Sequence, residues 1–168
     1  MATIAQTRAS VRSVRQLFAT LPLPTNTRLT GIHAAEFTGP NWLISSAALS
    51  LIPMGFAGWC GKRFDDYGRG MNLAVRKGRI TEFFPMSVSI ADSLVDNKPC
   101  VALRYSRDSR FPLPAIVDEF RQLNENCLLG MMVLDYPLLR RLAFPFLLTR
   151  VESIHALLPD NKKTASGL

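Results

Sequence analysis

Between residues 28 and 151 the chain repeats one pattern: a short apolar-rich run, then a cluster of turn-forming residues. The runs cover 56–64, 71–76, 79–84, 86–91, 100–105, 116–123, 128–134 and 146–151. Several are separated by turn chemistry, including Asp65-Asp66-Tyr67-Gly68, Lys77-Gly78, Asp96-Asn97-Lys98 and Asn124-Glu125-Asn126. Short strands at such spacing predict an antiparallel sandwich or barrel. No stretch of crossover-helix length separates them, which argues against a parallel α/β sheet. Pro112 and Pro114 keep residues 107–114 out of any central strand.

Upstream, Leu29, Gly31, His33, Ala35 and Phe37 share one face of a strand predicted over 28–38. Gly39-Pro40 breaks it, Asn41 is placed to cap a short helix over 42–51, and Pro53 stops that helix. The first 35 residues contain no acidic residue. Ile4, Val11, Val14, Phe18 and Leu21 fall on one helical arc, with Arg8, Arg12 and Arg15 beside it. Three readings compete: a helix packed on the domain, an amphipathic helix on an anionic membrane surface through residues 4–21, and a cleavable transit peptide. Leu21-Pro22-Leu23-Pro24 then forms a stiff connector. The expected organisation is therefore an N-terminal helix and connector over 1–24, one β-barrel domain over 25–158, and a polar tail over 159–168. At 168 residues, one core suffices.

Charge and cysteine usage narrow the function. Fifteen of the twenty basic residues are arginine, and the net charge is +7. They are scattered, with no basic stripe interleaved with aromatics, so no nucleic-acid partner is expected. Cys60, Cys100 and Cys127 lie far apart, and His33 and His155 are the only histidines. An odd cysteine count without a Cys/His cluster points to free buried thiols and no metal site. No apolar run reaches membrane-spanning length, and no signal-peptide h-region follows the first basic residues. A cytoplasmic location is expected, or an organelle if residues 1–24 are a transit peptide. Phosphate loops, dinucleotide fingerprints, HExxH, GxSxG and EF-hand loops are all missing, and no cofactor is expected.

The segment Gly58-Trp59-Cys60-Gly61-Lys62-Arg63-Phe64 resembles the Gly-x-Trp-x-Gly segment of a group of small bacterial proteins. That segment is in turn similar to the lipocalin and fatty-acid-binding (calycin) superfamily, over roughly residues 28–151. The resemblance implies a calycin-like antiparallel barrel with an apolar ligand inside. It also implies a structural pair, Trp59 closing the barrel floor and Arg150 of the last strand laid across it, a cation–π geometry.

A barrel of about eight strands has room for packed side chains or one small ligand. Met71, Leu73, Phe83, Met86, Leu103 and Met132 are the expected apolar lining, with Val75, Val88, Val101 and Met131 beside them. Plain core and ligand cavity are equal readings of that stripe. Tyr105 shares a face with Val101 and Leu103 and is expected to point inward. On the run 116–123, Glu119 and Arg121 alternate with Asp118 and Phe120, and parity alone leaves open which pair faces in. Glu119, Asp118 and Tyr105 are the catalytic candidates; Tyr105, Arg121 and Glu119 are the polar ligand contacts. Lys62, three residues after Trp59, is expected on the opposite face from it.

Three functions follow as expectations. The first is binding of a hydrophobic, fatty-acid-like molecule in the barrel. The second is a cofactor-independent isomerase or cyclase in the same cavity. The third is a peripheral membrane or interaction protein that uses the basic N-terminal helix.

Overall fold

A computed structural model describes residues 7, 10–140 and 143–158. It is mainly β: eight antiparallel strands in sequence order close into a barrel. They are β1 (Gly31–Phe37), β2 (Trp59–Phe64), β3 (Arg69–Arg76), β4 (Arg79–Asp92), β5 (Pro99–Tyr105), β6 (Ile116–Asn124), β7 (Cys127–Leu134) and β8 (Ala143–Val151). Closure comes from β1, which pairs with both β2 and β8, so no strand has a free edge. Among the described residues no helix is long and apolar enough to cross a membrane.

The expected runs 79–84 and 86–91 form one strand, β4. Phe84 takes φ 49° before Pro85, which bends the strand without ending it. Pairing with β3 resumes beyond the bend, and β5 pairs along the second half. The run expected from 56 begins instead at Trp59. The helix α2 (Asn41–Leu51) is capped at Pro40 with no side-chain cap, so Asn41 is its first residue and not the cap. It continues past Pro53 into a wide helical turn, Ile52–Phe56, that ends where Gly55 takes φ 89°.

Connections alternate between the two ends of the barrel. At one end lie α2 with its turn, Lys77-Gly78, residues 106–115 and residues 135–140. At the other lie the turns 65–68, 93–98 and 125–126. The helix α1 (Val11–Thr20) is capped by Ser10, whose hydroxyl accepts from Ser13 N–H at 3.2 Å. Val14 and Phe18 are fully buried in the cluster of Val117, Leu129, Met131 and Leu147 on the outer face of the barrel. Covering a side chain such as Phe18 contributes about 1.5–3 kcal/mol. The apolar arc of this helix is therefore occupied by the barrel. Ile4 and Arg8 of that pattern, and the tail 159–168, lie outside the described residues.

Both faces of the β5–β8 wall are thus buried. Inside are Val101, Leu103, Phe120, Phe146 and Leu148, with the Phe120 and Phe146 rings perpendicular at 5.3 Å. Gly130 lets them meet, since a Cβ there would lie 2.7 Å from the Phe120 ring and 2.8 Å from that of Phe146.

Candidate functional site

Within this apolar interior sits a polar cluster built by side chains of β2, β3, β5 and β6. Lys62 of β2 is 1% exposed. Its Nζ donates to Asp118 Oδ2 and to Asn72 Oδ1, both at 2.8 Å. Asn72 Oδ1 also accepts from Trp59 Nε1 at 3.1 Å. Asn72 Nδ2 donates to the Tyr105 hydroxyl at 3.1 Å and to the Phe84 carbonyl at 3.3 Å. The ammonium lies 5.5 Å from the Trp59 ring centre and 6.0 Å from that of Phe146, so aromatic faces add to the ion pair.

Lys62 faces inward because the ladder between β2 and β3 slips. Trp59 stands opposite Ala74, yet Gly61 stands opposite Leu73, which leaves one extra residue on β2. Such a bulge reverses the alternation, so Trp59 and Lys62 share the inner face despite their odd spacing. Gly61 permits the close approach: a Cβ there would lie 2.3 Å from the His33 carbonyl oxygen. The expectation that Lys62 opposes Trp59 is corrected on this ground. The signal was present in the sequence as a glycine inside a strand. Asn72, set between Met71 and Leu73 in an apolar run, carried a similar signal and was missed.

A cavity of about 20 Å³ adjoins the cluster. Its apolar walls are Phe37, Phe56, Trp59, Met132 and Phe146; Lys62, Tyr105 and Asp118 supply its polar side. That volume suits about one water-sized group. Among the described residues, Asp118 Oδ1 has no hydrogen-bond partner, and the Tyr105 hydroxyl accepts one bond but donates none. Burial first, and the Asp118 carboxylate second, push the Tyr105 phenol well above its ordinary value, so it remains a proton donor. Phe56, carried by the turn after α2, stacks edge-on against Phe83 and Tyr105 and closes this end of the barrel.

The expected residues divide between two faces. Tyr105, Phe83, Met86, Leu103 and Met132 belong to the interior, as does Asp118. Glu119 and Arg121 point outward, because Asp118 and Phe120 take the inner positions of β6. Glu119 accepts from the Ser93 hydroxyl at 2.5 Å and from Leu94 N–H at 2.6 Å. Burial raises its carboxyl pKa against the opposing pull of those two bonds. Arg121 holds Asp96 through two bonds of 2.7 and 2.8 Å and donates to the carbonyls of Phe18, Lys98 and Pro99. Neither touches the interior.

Met71 and Leu73 also face outward, since they flank the inward Asn72. Met71 lines an open groove of about 480 Å³ with Arg63, Arg69 and Glu82 on the outer wall. Arg150 does not cross Trp59. It stands opposite His33, at the far mouth of the barrel, in a pocket of about 250 Å³ with Arg28 and Gln122. Trp59 instead packs on Phe37 and Phe146 at the α2 end. The two residues share the inner face but sit at opposite ends of their strands. His33 is buried, and its Nδ1 has no partner among the described residues. Burial, then the Arg150 charge, lowers its pKa to about 4.

Fold and cluster together define a closed antiparallel barrel whose apolar interior carries a buried lysine–carboxylate pair beside a small cavity. The chain is similar to a protein from Thermomonospora curvata whose crystal structure is known. The two are 21% identical and superpose with a TM-score of 0.64 over 88% of this chain and 93% of that one. This likeness shows the barrel fold. Neither a protein-family model nor a curated protein matches the chain.

Proposed function

We propose that the barrel interior binds a hydrophobic small molecule, fatty-acid-like in its apolar portion, by a polar head seated between Tyr105 and Asp118. One observation carries this reading: a hydroxyl donor and a carboxylate acceptor, both unsatisfied on one side, border the same apolar cavity. A ligand head that accepts from Tyr105 and donates to Asp118 would add about 0.5–1.5 kcal/mol per hydrogen bond. A neutral head that both accepts and donates, such as a hydroxyl or a protonated carboxyl, fits better than an anion, because Lys62 is already committed to Asp118. The apolar part would replace Phe56 and its neighbours, the movable side chains at the closed end. Likeness to calycins in strand number and order supports the same reading.

Displacement of 1-aminoanthracene tests it. The probe should bind one-to-one, and dodecanol should displace it more strongly than dodecanoate at pH 8. Binding should also raise the melting temperature, by about 2.7 kcal/mol of stability at a hundredfold excess over Kd. Phe56→Ala should improve affinity, and Tyr105→Phe should weaken dodecanol by up to about tenfold. No saturable binding to either the native chain or Phe56→Ala would overturn the proposal. A cofactor-independent isomerase or cyclase is the second reading, favoured by the Tyr105 donor and the Asp118 acceptor facing one cavity. Asp118→Asn would then abolish turnover of a bound substrate while affinity stays similar.

A further inference from the structure

The four connections at the α2 end differ from the rest of the surface. Trp42, Leu49 and Ile52 of α2 and its turn are 66%, 68% and 53% exposed. The adjoining loops at this end add Phe111 at 71% and Leu138 at 88%, with Tyr136 and Leu139 also exposed. Elsewhere among the described residues the large exposed apolar side chains are Tyr67, stacked under Arg69, and Ile90.

Positive charge is interleaved with this apolar rim. Arg76, Lys77 and Arg79 surround the β3–β4 turn, where Arg76 donates to the Gly55 carbonyl at 2.9 Å and so adjoins the end of the α2 turn. Arg107, Arg110 and Arg140 extend from the other two loops, all exposed. The acids of these loops are Asp108 and Asp135, with Asp135 paired with Arg104 and Arg140, and Glu36 lies exposed near the end of β1 that leads into α2. No charged residue occurs from Thr38 to Gly61. At the opposite end both signs are mixed: Asp65, Asp66, Asp92, Asp96, Glu125 and Glu152 stand with Arg28, Arg69, Lys98 and Arg150, and Asp65 and Asp96 are paired with Arg69 and Arg121.

We propose that the α2 end of the barrel is a docking surface for an anionic lipid bilayer. Scattered apolar side chains are ordinary, but several gathered at one end within a basic ring match an interfacial surface. Tryptophan and leucine enter the headgroup boundary while arginine and lysine meet anionic headgroups. A protein partner or a second copy would have to satisfy the same cationic ring with acids, and the copy's other end mixes its acids with arginine and lysine. The turn that carries Phe56 is continuous with α2, so the docked end is also the closed end over the cavity. The proposal rests on the surface alone, whatever the barrel binds.

Vesicle co-sedimentation of the full chain tests it, with phosphatidylcholine alone and with phosphatidylglycerol added. Binding should require the anionic lipid and weaken with salt, and brominated lipid should quench Trp42 fluorescence. The triple variant Trp42→Ser, Leu49→Ser, Ile52→Ser should lose at least tenfold in vesicle affinity with an unchanged melting curve. Lys77→Gln with Arg79→Gln should weaken binding roughly fivefold per charge. Absence of binding to anionic vesicles would overturn the proposal. So would vesicle binding that survives these variants but fails in Arg12→Gln, Arg15→Gln, which would place the contact on α1. A dimer in sedimentation velocity that the triple variant dissolves, with no vesicle binding, would assign the surface to a second copy instead.

Discussion

Adjacent residues of β6 build two buried charged clusters of opposite character. On the outer face, Arg121 meets Asp96 and three backbone carbonyls, and Glu119 meets a hydroxyl and a backbone N–H. On the inner face, Asp118 meets Lys62, and Lys62 meets Asn72, through side chains alone. The outer cluster ties α1 and the 93–98 turn to the barrel, and the Phe18 ring lies 4.5 Å from the Arg121 guanidinium. The inner cluster crosses the barrel interior, joining β2 to β6 and β3 to β5, strands that share no ladder, and it borders a cavity. Bonding to backbone marks the outer cluster as structural, while the inner cluster's place beside the cavity is what the proposed ligand reading rests on.

The largest expected effect breaks the outer cluster. Arg121→Ala leaves Asp96 and several carbonyls without their partner and should cost about 3–5 kcal/mol in urea unfolding. A loss under 1 kcal/mol would place Arg121 outside the structural role assigned to it. The inner cluster should answer differently. Lys62→Met combined with Asp118→Leu removes both charges at once, and stability should stay level or rise by about 1–4 kcal/mol. Probe displacement should nevertheless disappear. A large loss of stability in this double variant would make the inner pair structural too and erase the contrast.

Acid titration gives the next effect. His33 has a folded pKa of about 4 against 6.5 unfolded, so the unfolded chain binds more protons between those values. Its contribution is present above pH 6.5 and is lost as pH falls through about 4, a change of roughly 2–4 kcal/mol. Melting curves of wild type and His33→Leu should therefore converge in slope only above neutrality. Parallel acid limbs would show that His33 is solvated. The smallest effect is Glu119→Gln, which loses one of two accepted bonds and should cost about 0.5–1.5 kcal/mol with probe affinity unchanged. A changed affinity would bring the outer face into the site.

The positions of most strands along the chain were readable because strand runs and turn chemistry are local properties. Pro85 misled the reading of 79–91 as two strands, since it removes one N–H without ending the pairing on either side. Tyr105 could be oriented from its neighbours Val101 and Leu103. Lys62 could not, because its orientation depends on one extra residue in β2, and a period-two rule has no place for it.

Alternating runs and turn residues by themselves determined that this chain makes an antiparallel sheet of short strands, with a helix before it. Which residues of β6 look into the barrel was decided only by the tertiary structure. A strand's alternation separates inside from outside when one face is wet and polar. Here α1 and the 93–98 turn cover the outer face, so Asp118, Glu119, Phe120 and Arg121 are all buried and the pattern carries no sign. Closure of the barrel and the docking of α1, both long-range events, assigned the two faces and so brought Asp118 to Lys62.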